Sequence, residues 1–312
     1  MNKKWSVLVF FVAILITLTL FCPGVRFAFA AESTGLSLSP PTFEISANPG
    51  DTIKNVIRVQ NISEKNIRVV VDKRNFTAVG EEGSVGLTEE ETSFSLASWM
   101  TPGWPEFDLP AKSNISFPFE IRIPLNAEPG GHFGSLIFKI GGLLPGQAGA
   151  GVSQELGALI LLQIAGKTKE EATLESFQVK RSLWEYGPVE FEARVKNEGN
   201  VHLKPHGSLS ITNVFGKQVA NIPIEGRNVL PGAIRKIPFS WDRKNLFGHY
   251  VATLSLGYGD KGKALITTTS FWGFPYRVGG IVLTVLFVLG FLLFRARRRI
   301  SLALRILLGK NV

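Results

Sequence analysis

The sequence predicts an all-β protein with two tandem β-sandwich domains, followed by one C-terminal transmembrane helix. Three observations predict this class. Between residues 36 and 271, short alternating or β-branched runs are separated by Pro, Gly, Asn and Asp, as in sandwiches and barrels. The two halves of this region resemble each other in sequence. An uncharged stretch and a basic cluster then follow.

The N-terminus has the three parts of a secretory signal peptide. Lys3 and Lys4 give a positive start, residues 5–21 are uncharged, and Ala28 and Ala30 form a small-x-small site. We therefore expect residues 1–30 to be a removable signal peptide. A first transmembrane helix that is never cut is the alternative.

The single cysteine, Cys22, lies within this predicted signal. Lipid attachment would need small residues directly before it, but Leu20 and Phe21 stand there, which disfavours a lipoprotein. Cleavage after Ala30 would leave a mature chain without cysteine. Such a chain has no disulfides, thiolate zinc sites or cysteine nucleophiles.

Each half offers seven candidate strands, the number that an immunoglobulin-like sandwich needs. In the first half they are 36–46, 53–60, 67–76, 94–99, 115–123, 132–140 and 156–164. In the second half they are 174–180, 189–196, 207–212, 218–222, 235–241, 250–258 and 264–271. We expect immunoglobulin-like domains over 31–166 and 173–273, joined by a polar linker at 167–172.

Three segments recur in the two halves. Residues 57–67 match 193–201 as a strand, an Asn-led turn and a second strand. Leu109-Pro110 corresponds to Leu230-Pro231, and residues 131–133 correspond to 248–250. We interpret this as one fold used twice.

The C-terminal region is typical of a membrane anchor. Residues 278–294 are uncharged, roughly 17 residues or about 25 Å of helix, which is the short limit for a bilayer. We expect the span at 274–294, with Trp272, Phe274 and Tyr276 as an aromatic belt. The cytoplasmic side is indicated by the arginines that follow: Arg295, Arg297, Arg298 and Arg299.

This anchor predicts a single-pass cell-membrane protein with its N-terminus extracellular and its C-terminus cytoplasmic. The tail at 295–312 has basic amphipathic spacing, which suits a segment lying on the inner leaflet. Membrane lipid is therefore one predicted partner.

The net charge of +9 is concentrated at the two ends of the chain. Three basic residues lie in the signal and six in the tail, and neither segment contains an acid. The region from 31 to 294 therefore has 25 basic against 25 acidic residues. A neutral exposed region gives nucleic-acid binding no support.

Turn residues of the first half resemble those of a known family. The segments are 38–41, 49–51, the Asn61 turn, 98–99, 109–110, 124 and 129–131. With these, the chain resembles bacterial WxL-interacting surface proteins, whose immunoglobulin-like first domain is related to pilus chaperones. The resemblance implies peptidoglycan binding by the first domain and host or partner binding by the second. Unlike pilus chaperones, segments 36–45 and 152–165 carry no basic residue for a partner's carboxylate.

The predicted strand at 156–164 is apolar on both faces, so one face needs a cover. The second domain is one candidate cover. The other is a partner's strand that pairs along this edge, with Leu159 and Leu161 as partner-binding residues. Replacing both leucines with lysine would test partner recovery.

Two tryptophans flank residues 101–103. Trp99 is expected in the sandwich core. Trp104, between Gly and Pro, is expected in a loop where its ring could stack on a sugar, so we include it among the partner-binding residues.

Other patterns favour ordinary structural roles. The glycine-rich 141–151 lacks the lysine of a phosphate loop and indicates a flexible connection. The acids Glu81, Glu82, Glu89, Glu90 and Glu91 lack calcium-ligand spacing and indicate a solvated loop. His202 and His206 are four apart but not on a helix, which disfavours a zinc pair.

The function expected from the sequence is non-enzymatic. We expect no catalytic residues, metal or cofactor, because no local catalytic signature such as Gly-x-Ser-x-Gly is present. The favoured function is a membrane-anchored surface binding, adhesion or scaffold protein that engages cell wall or another surface protein. The alternative is a membrane-tethered, chaperone-like assembly factor for secreted subunits.

Overall fold

The computed structural model describes residues 35–141 and 154–307, with side chains up to residue 297. The predicted signal peptide, Cys22 and most of the glycine-rich segment lie outside the described residues. The predicted fold class is confirmed, because the described chain consists of β-sandwiches followed by one apolar helix.

The first sandwich is built from strands that alternate between buried and exposed residues. Its described strands are β1 (Leu36–Ser39), β2 (Thr42–Ala47), β3 (Thr52–Asn61), β4 (Ile67–Val79), β5 (Ser84–Thr88), β6 (Met100–Pro102), β7 (Glu106–Leu109), β8 (Asn114–Arg122), β9 (Gly130–Ile140) and β10 (Glu155–Ile164). One sheet has the order β1-β3-β8-β6. The other has the order β2-β10-β9-β4-β5, with β7 also paired to β4.

The core of this sandwich comes from the inward face of each strand. Ile57 of β3 lies opposite Phe117 of β8 in one sheet, and both are fully buried, as are Val59 of β3 and Ile121 of β8. Phe138 of the opposite sheet meets Phe117 edge to face, at 5.2 Å between ring centroids. Each such side chain stabilises the fold by roughly 1.5–3 kcal/mol through burial.

The second sandwich follows the same plan with fewer strands. Its strands are β11 (Ala172–Val179), β12 (Leu183–Trp184), β13 (Val189–Asn197), β14 (His206–Asn213), β15 (Gln218–Ile224), β16 (Ile234–Trp241), β17 (Gly248–Tyr258) and β18 (Lys263–Gly273). The sheets have the orders β11-β13-β16 and β12-β18-β17-β14-β15. Phe191, Trp241, Tyr250 and Phe271 fill the space between them.

Two predicted strands of the first half are wrong. Segment 36–46 forms β1 and β2 in different sheets, because Pro40 and Pro41 lack the N–H groups that would continue a ladder. Segment 94–99 ends in a 3-10 helix at Ala97–Trp99. The amide oxygen of Asn75 accepts hydrogen bonds from the backbone N–H groups of Leu96 and Ala97, at 2.9 and 2.8 Å, and so holds this turn.

The matching Asn-led turns have the same hydrogen bonds in both sandwiches. Asn61 ends β3 and donates from Nδ2 to the carbonyl oxygens of Lys65 and Pro110, at 2.8 and 3.0 Å. Asn197 ends β13 and donates from Nδ2 to the carbonyl oxygens of Val201 and Val229, at 2.7 and 2.8 Å. The sequence repeat is therefore also a structural repeat.

Within the described residues there is one α-helix, α1 (Tyr276–Leu307), and two residues separate it from the end of β18. Residues Tyr276–Arg297 have a mean hydropathy of 2.3 and none of that window is buried, so this helix is long and apolar enough to cross a membrane. The predicted span at 274–294 differs at both ends. In particular, the helix continues without a break into the predicted tail, through Leu307.

Candidate functional site

The two sandwiches meet along a cleft, and the turn between β4 and β5 reaches across it. Glu81 in this turn accepts a hydrogen bond at Oε2 from Nε of Arg194 in β13, at 2.7 Å. Its backbone oxygen accepts a second bond from the N–H of Lys236 in β16, at 2.8 Å. The hydrogen bond from Arg194 is the main reason why the pKa of Glu81 is lowered.

The prediction of a solvated loop is therefore wrong for Glu81, whereas Glu82 is exposed as predicted. Glu81 pairs with Arg194, and Glu82 lies 3.5 Å from the amine of Lys236. Both acids take part in the contact between the two sandwiches, and Glu81 and its partner Arg194 are 113 residues apart in the chain. The spacing of the acidic residues could not have predicted these ion pairs, because their partners, Arg194 and Lys236, belong to the second sandwich.

Two further contacts join the sandwiches beside the same cleft. Glu44 of β2 accepts hydrogen bonds from Nδ2 of Asn228 at 2.8 Å and from Nζ of Lys204 at 3.0 Å. The bond from Asn228 is the largest cause of the lowered pKa of Glu44. Asn200 accepts at its backbone oxygen from the N–H of Gly131, at 2.7 Å.

Apolar side chains form the floor of the cleft. Phe76, Phe133 and Leu161 are buried together, with Leu159 and Leu230 packed against them. Leu230 belongs to the second sandwich, so that sandwich covers part of the outer face of β10. A cavity of about 320 Å³ remains above the floor.

Two arginines of the second sandwich line this cavity. Burial, together with the nearby charge of Arg227, lowers the pKa of the Arg235 guanidinium. Nε of Arg235 and Oδ1 of Asn228 are buried and make no hydrogen bond. The cleft thus combines an apolar floor with a partly buried cation and unused polar atoms, a setting that favours an apolar ligand carrying an anionic group.

The turn of the first sandwich leaves room for Arg235 because it has glycine at residue 83. A Cβ at Gly83 would lie 1.2 Å from a guanidinium nitrogen of Arg235, and the backbone there has φ +85°. The left-handed conformation favours glycine, and a side chain at this position would displace the guanidinium of Arg235.

The predicted partner-binding residues lie in two separate places. Leu159 and Leu161 line the cleft, whereas Trp104 is not among the residues that line it. The ring of Trp104 is partly exposed and packs edge to face on Phe117, at 5.4 Å between centroids. Trp99 packs against the first core and against the ring of His132, at 4.4 Å between centroids.

The predicted pairing of a partner strand along β10 is wrong for residues 159–164. β2 already occupies that edge in parallel register, with Leu159 opposite Thr42 and Leu161 opposite Glu44. The side chains of both leucines consequently line the cleft, with Leu161 buried and Leu159 partly buried, and the strand edge beside them is taken by β2. Within the described residues of β10, Glu155 to Ala158 have no partner on that side.

The predicted membrane-anchor residues lie at the two ends of the apolar window. Trp272 and Tyr276 are exposed at its start. Arg295 and Arg297 are exposed at its end, and the guanidinium of Arg297 lies 4.3 Å from the ring centroid of Phe294. Arg298 and Arg299 are also in α1, but their side chains lie outside those described.

The structure shows no cluster of three or more potential metal ligands among the described residues. His202 is largely buried against the ring of Phe133, at 6.1 Å between centroids, and this burial is the main cause of its lowered pKa.

Sequence comparison identifies no relative: no protein-family model matches the chain, and neither does any curated protein. Among solved structures, the chain is similar to the class 5 fimbrial chaperone CfaA, with 12% identity, a TM-score of 0.41, and coverage of 75% of this chain and 99% of that one. A second similar structure is the Salmonella enterica SafA pilin complex with the SafB chaperone, at 12% identity, a TM-score of 0.38, and coverage of 78% and 98%. A third is the Acinetobacter baumannii CsuC–CsuE chaperone-adhesin complex, at 12% identity, a TM-score of 0.35, and coverage of 65% and 89%. All three TM-scores are below 0.5, so no property of these chaperones is transferred to this chain.

Proposed function

We propose that this chain is a membrane-anchored surface protein that holds two immunoglobulin-like sandwiches outside the cell for binding or scaffolding. The observation that carries the proposal is the position of α1. Its apolar window is entirely unburied, and two residues separate it from the last strand of the second sandwich. Helical backbone satisfies its own polar groups, so such a helix is stable in lipid and unfavourable in water.

The orientation follows from the charges at the end of the window. Four arginines lie at residues 295–299, and a basic cluster of this kind is retained on the cytoplasmic side. The cell membrane is therefore the proposed location, with the sandwiches extracellular and the C-terminus cytoplasmic. We propose removal of residues 1–30 as the step that leaves this single span.

The proposed binding partners are the cell wall or another surface protein. The resemblance to WxL-interacting surface proteins supports this proposal, and Trp104 offers a partly exposed ring for stacking on a sugar. We take the role as non-enzymatic and free of cofactors, since the sequence has no local catalytic signature.

Sedimentation with purified peptidoglycan tests the wall-binding proposal. Full-length protein in detergent should co-sediment with peptidoglycan, and Trp104→Ala should lower the bound fraction several-fold. Leu125→Ala is the control, because Leu125 is 87% exposed in the same sandwich and lies away from Trp104 in the chain. Thermal melting of each variant checks that the sandwich is intact. Equal recovery of wild type and W104A would remove Trp104 from the site.

The cleft supports a second candidate function, a membrane-tethered assembly factor for secreted subunits. Its apolar floor and the partly buried Arg235 are suited to an extended apolar segment with an acidic group. A photo-crosslinking residue at Thr42, which lines the cavity, should capture secreted subunits in intact cells. The same residue at Val56, exposed on the opposite sheet, is the control. Equal capture from both positions would contradict this function.

A further inference from the structure

The second sandwich has two ends with different surfaces. One end contains the start of β17 and the end of β18, since Gly248 pairs with Gly273, and α1 begins there. The β14–β15 turn lies at the same end, because Asn213 is opposite Tyr250. The loop at 242–247 connects β16 to β17 at this end, and residues 180–188 lie beside it.

Large apolar side chains are exposed almost exclusively at this helix-proximal end. Phe215 is 89% exposed at the tip of the β14–β15 turn, and Phe247 is 75% exposed in the loop before β17. The ring of Phe247 lies 5.9 Å from that of Phe274, directly before α1. Elsewhere in the second sandwich, the one large apolar side chain with comparable exposure is Ile266, in the middle of β18.

The charge of the two ends differs in the same way. At the helix-proximal end, segments 180–188, 214–217, 242–247 and 274–277 contain six basic and two acidic residues. At the opposite end, segments 198–205, 225–233 and 259–262 contain three basic and three acidic residues. The exposed apolar tips are therefore surrounded by positive charge only where the helix begins.

The start of the helix is fixed to this end of the sandwich. The N–H of Phe274 donates to the carbonyl oxygen of Trp184 at 2.9 Å. The guanidinium of Arg277 lies 3.3 Å from the carboxylate of Glu185, which also accepts from the backbone N–H of Arg277 at 3.2 Å. A membrane around the helix would consequently lie against the same apolar and basic loops.

We propose that the helix-proximal loops of the second sandwich form a lipid-binding face that rests on the outer surface of the bilayer. Phe215 and Phe247 insert at the headgroup level, where aromatic side chains are favourable, and the basic residues attract anionic headgroups. This proposal rests on the membrane anchoring proposed above. It also orients the molecule, because the cleft is built from loops at the opposite end and so faces away from the membrane.

Site-directed spin labelling of the full-length chain tests this face. The background is Cys22→Ser, and single cysteines are introduced at Val214 on the tip, at Ile266 on the sheet and at Leu286 within α1. Each labelled protein is reconstituted into vesicles of phosphatidylglycerol and phosphatidylethanolamine. Collision with oxygen and with a water-soluble nickel chelate then reports the depth of each label.

We expect the label at Val214 to be protected from the nickel chelate several-fold more than the label at Ile266. The double substitution Phe215→Glu and Phe247→Glu should raise the accessibility of the Val214 label to the level at Ile266. Both phenylalanines are exposed, so these changes leave the core intact. Vesicles of phosphatidylcholine alone should give weaker protection, because they lack anionic headgroups.

The label at Leu286 separates two kinds of failure. If Leu286 is protected while Val214 is as accessible as Ile266, the lipid-binding face is rejected and the anchor stands. If Leu286 is itself accessible to the nickel chelate, both the anchor and the face that rests on it are overturned.

Discussion

Glu81 and Arg194 form a two-point ion pair across the boundary between the sandwiches, with Oε2 of Glu81 2.7 Å from Nε of Arg194 and its other oxygen bonded to a terminal guanidinium nitrogen. A planar guanidinium that meets a carboxylate at two points fixes orientation as well as distance. The pair therefore restrains the angle between the sandwiches, and with it the width of the cleft.

Arg194→Ala should widen the distribution of distances between the two sandwiches. Nitroxide labels at Leu125 and Ile266, both strongly exposed and one in each sandwich, allow that distribution to be measured by pulsed electron resonance. Lys180→Ala is the matched control, because it removes an ion pair with Glu190 inside the second sandwich alone. Identical distributions for R194A and wild type would show that the pair does not restrain the cleft.

Acid should loosen the same boundary. The pKa values of Glu81 and Glu44 are lowered from an ordinary value near 4.5, by hydrogen bonds from Arg194 and Asn228 respectively. A carboxylate with a lowered pKa stabilises the folded arrangement above its ordinary pKa, and this stabilisation is lost as the pH falls through the lowered value.

The distance distribution should accordingly stay constant above the ordinary pKa of 4.5 and broaden as the pH falls below it. Glu81→Gln should produce part of this broadening at pH 7. If the E81Q variant and wild type have the same distance distribution at pH 7 and the same response to acid, Glu81 is not the group whose titration loosens the boundary.

Asn197→Ala should be strongly destabilising. The substitution removes the side-chain partner of the carbonyl of Val201 and of the N–H of Gly199, and one of the two donors to the carbonyl of Val229, which keeps its bond from the N–H of Leu203. Each buried polar group left without a partner costs about 1–3 kcal/mol, so we expect a loss of at least about 2 kcal/mol. Urea denaturation measures the free energy of unfolding. The exposed Asn221, in the same sandwich, is the control, and N221A should change stability by less than about 0.5 kcal/mol.

These two asparagine turns also show what sequence reasoning could predict. The turns at Asn61 and Asn197 are local features, because a few turn-forming residues between two apolar strands are enough to predict each of them. The burial of Asn197 and its bond to Val229, thirty-two residues later, depend on tertiary packing and were not predicted. Strand alternation likewise predicted the cores, because burial of one face imposes a period of two.

The cleft contacts could not be predicted, because no local pattern relates Glu81 to Arg194 or Glu44 to Asn228. The short strands β5, β6, β7 and β12 were missed for a related reason. Each is at most five residues long, too short to show a pattern, and forms by pairing with a longer strand of its sheet. The prediction of a free strand edge at Leu159 is wrong because β2, which follows the break at Pro40-Pro41, pairs with β10 there.

Gly83→Ala should displace the Arg235 side chain from the cleft. The new methyl group would overlap the guanidinium, whereas at Gly80 no atom lies within 4 Å of the corresponding position. Both glycines have positive φ, so both alanine variants carry a similar backbone cost of about 1–2 kcal/mol. The Nε resonance of Arg235 in nitrogen-15 NMR should shift in G83A and remain in place in G80A. Equal spectra would show that the turn does not position Arg235.

Labelling with a membrane-impermeant maleimide in intact cells tests the central claim most directly. In the Cys22→Ser background, a cysteine at Ile266 should react from outside, whereas a cysteine at Asn311 should react after the membrane is permeabilised and not before. Two results would contradict the claim that α1 holds the two sandwiches outside the cell. One is a cysteine at Ile266 that reacts only after lysis, and the other is recovery of the full-length chain in the soluble fraction.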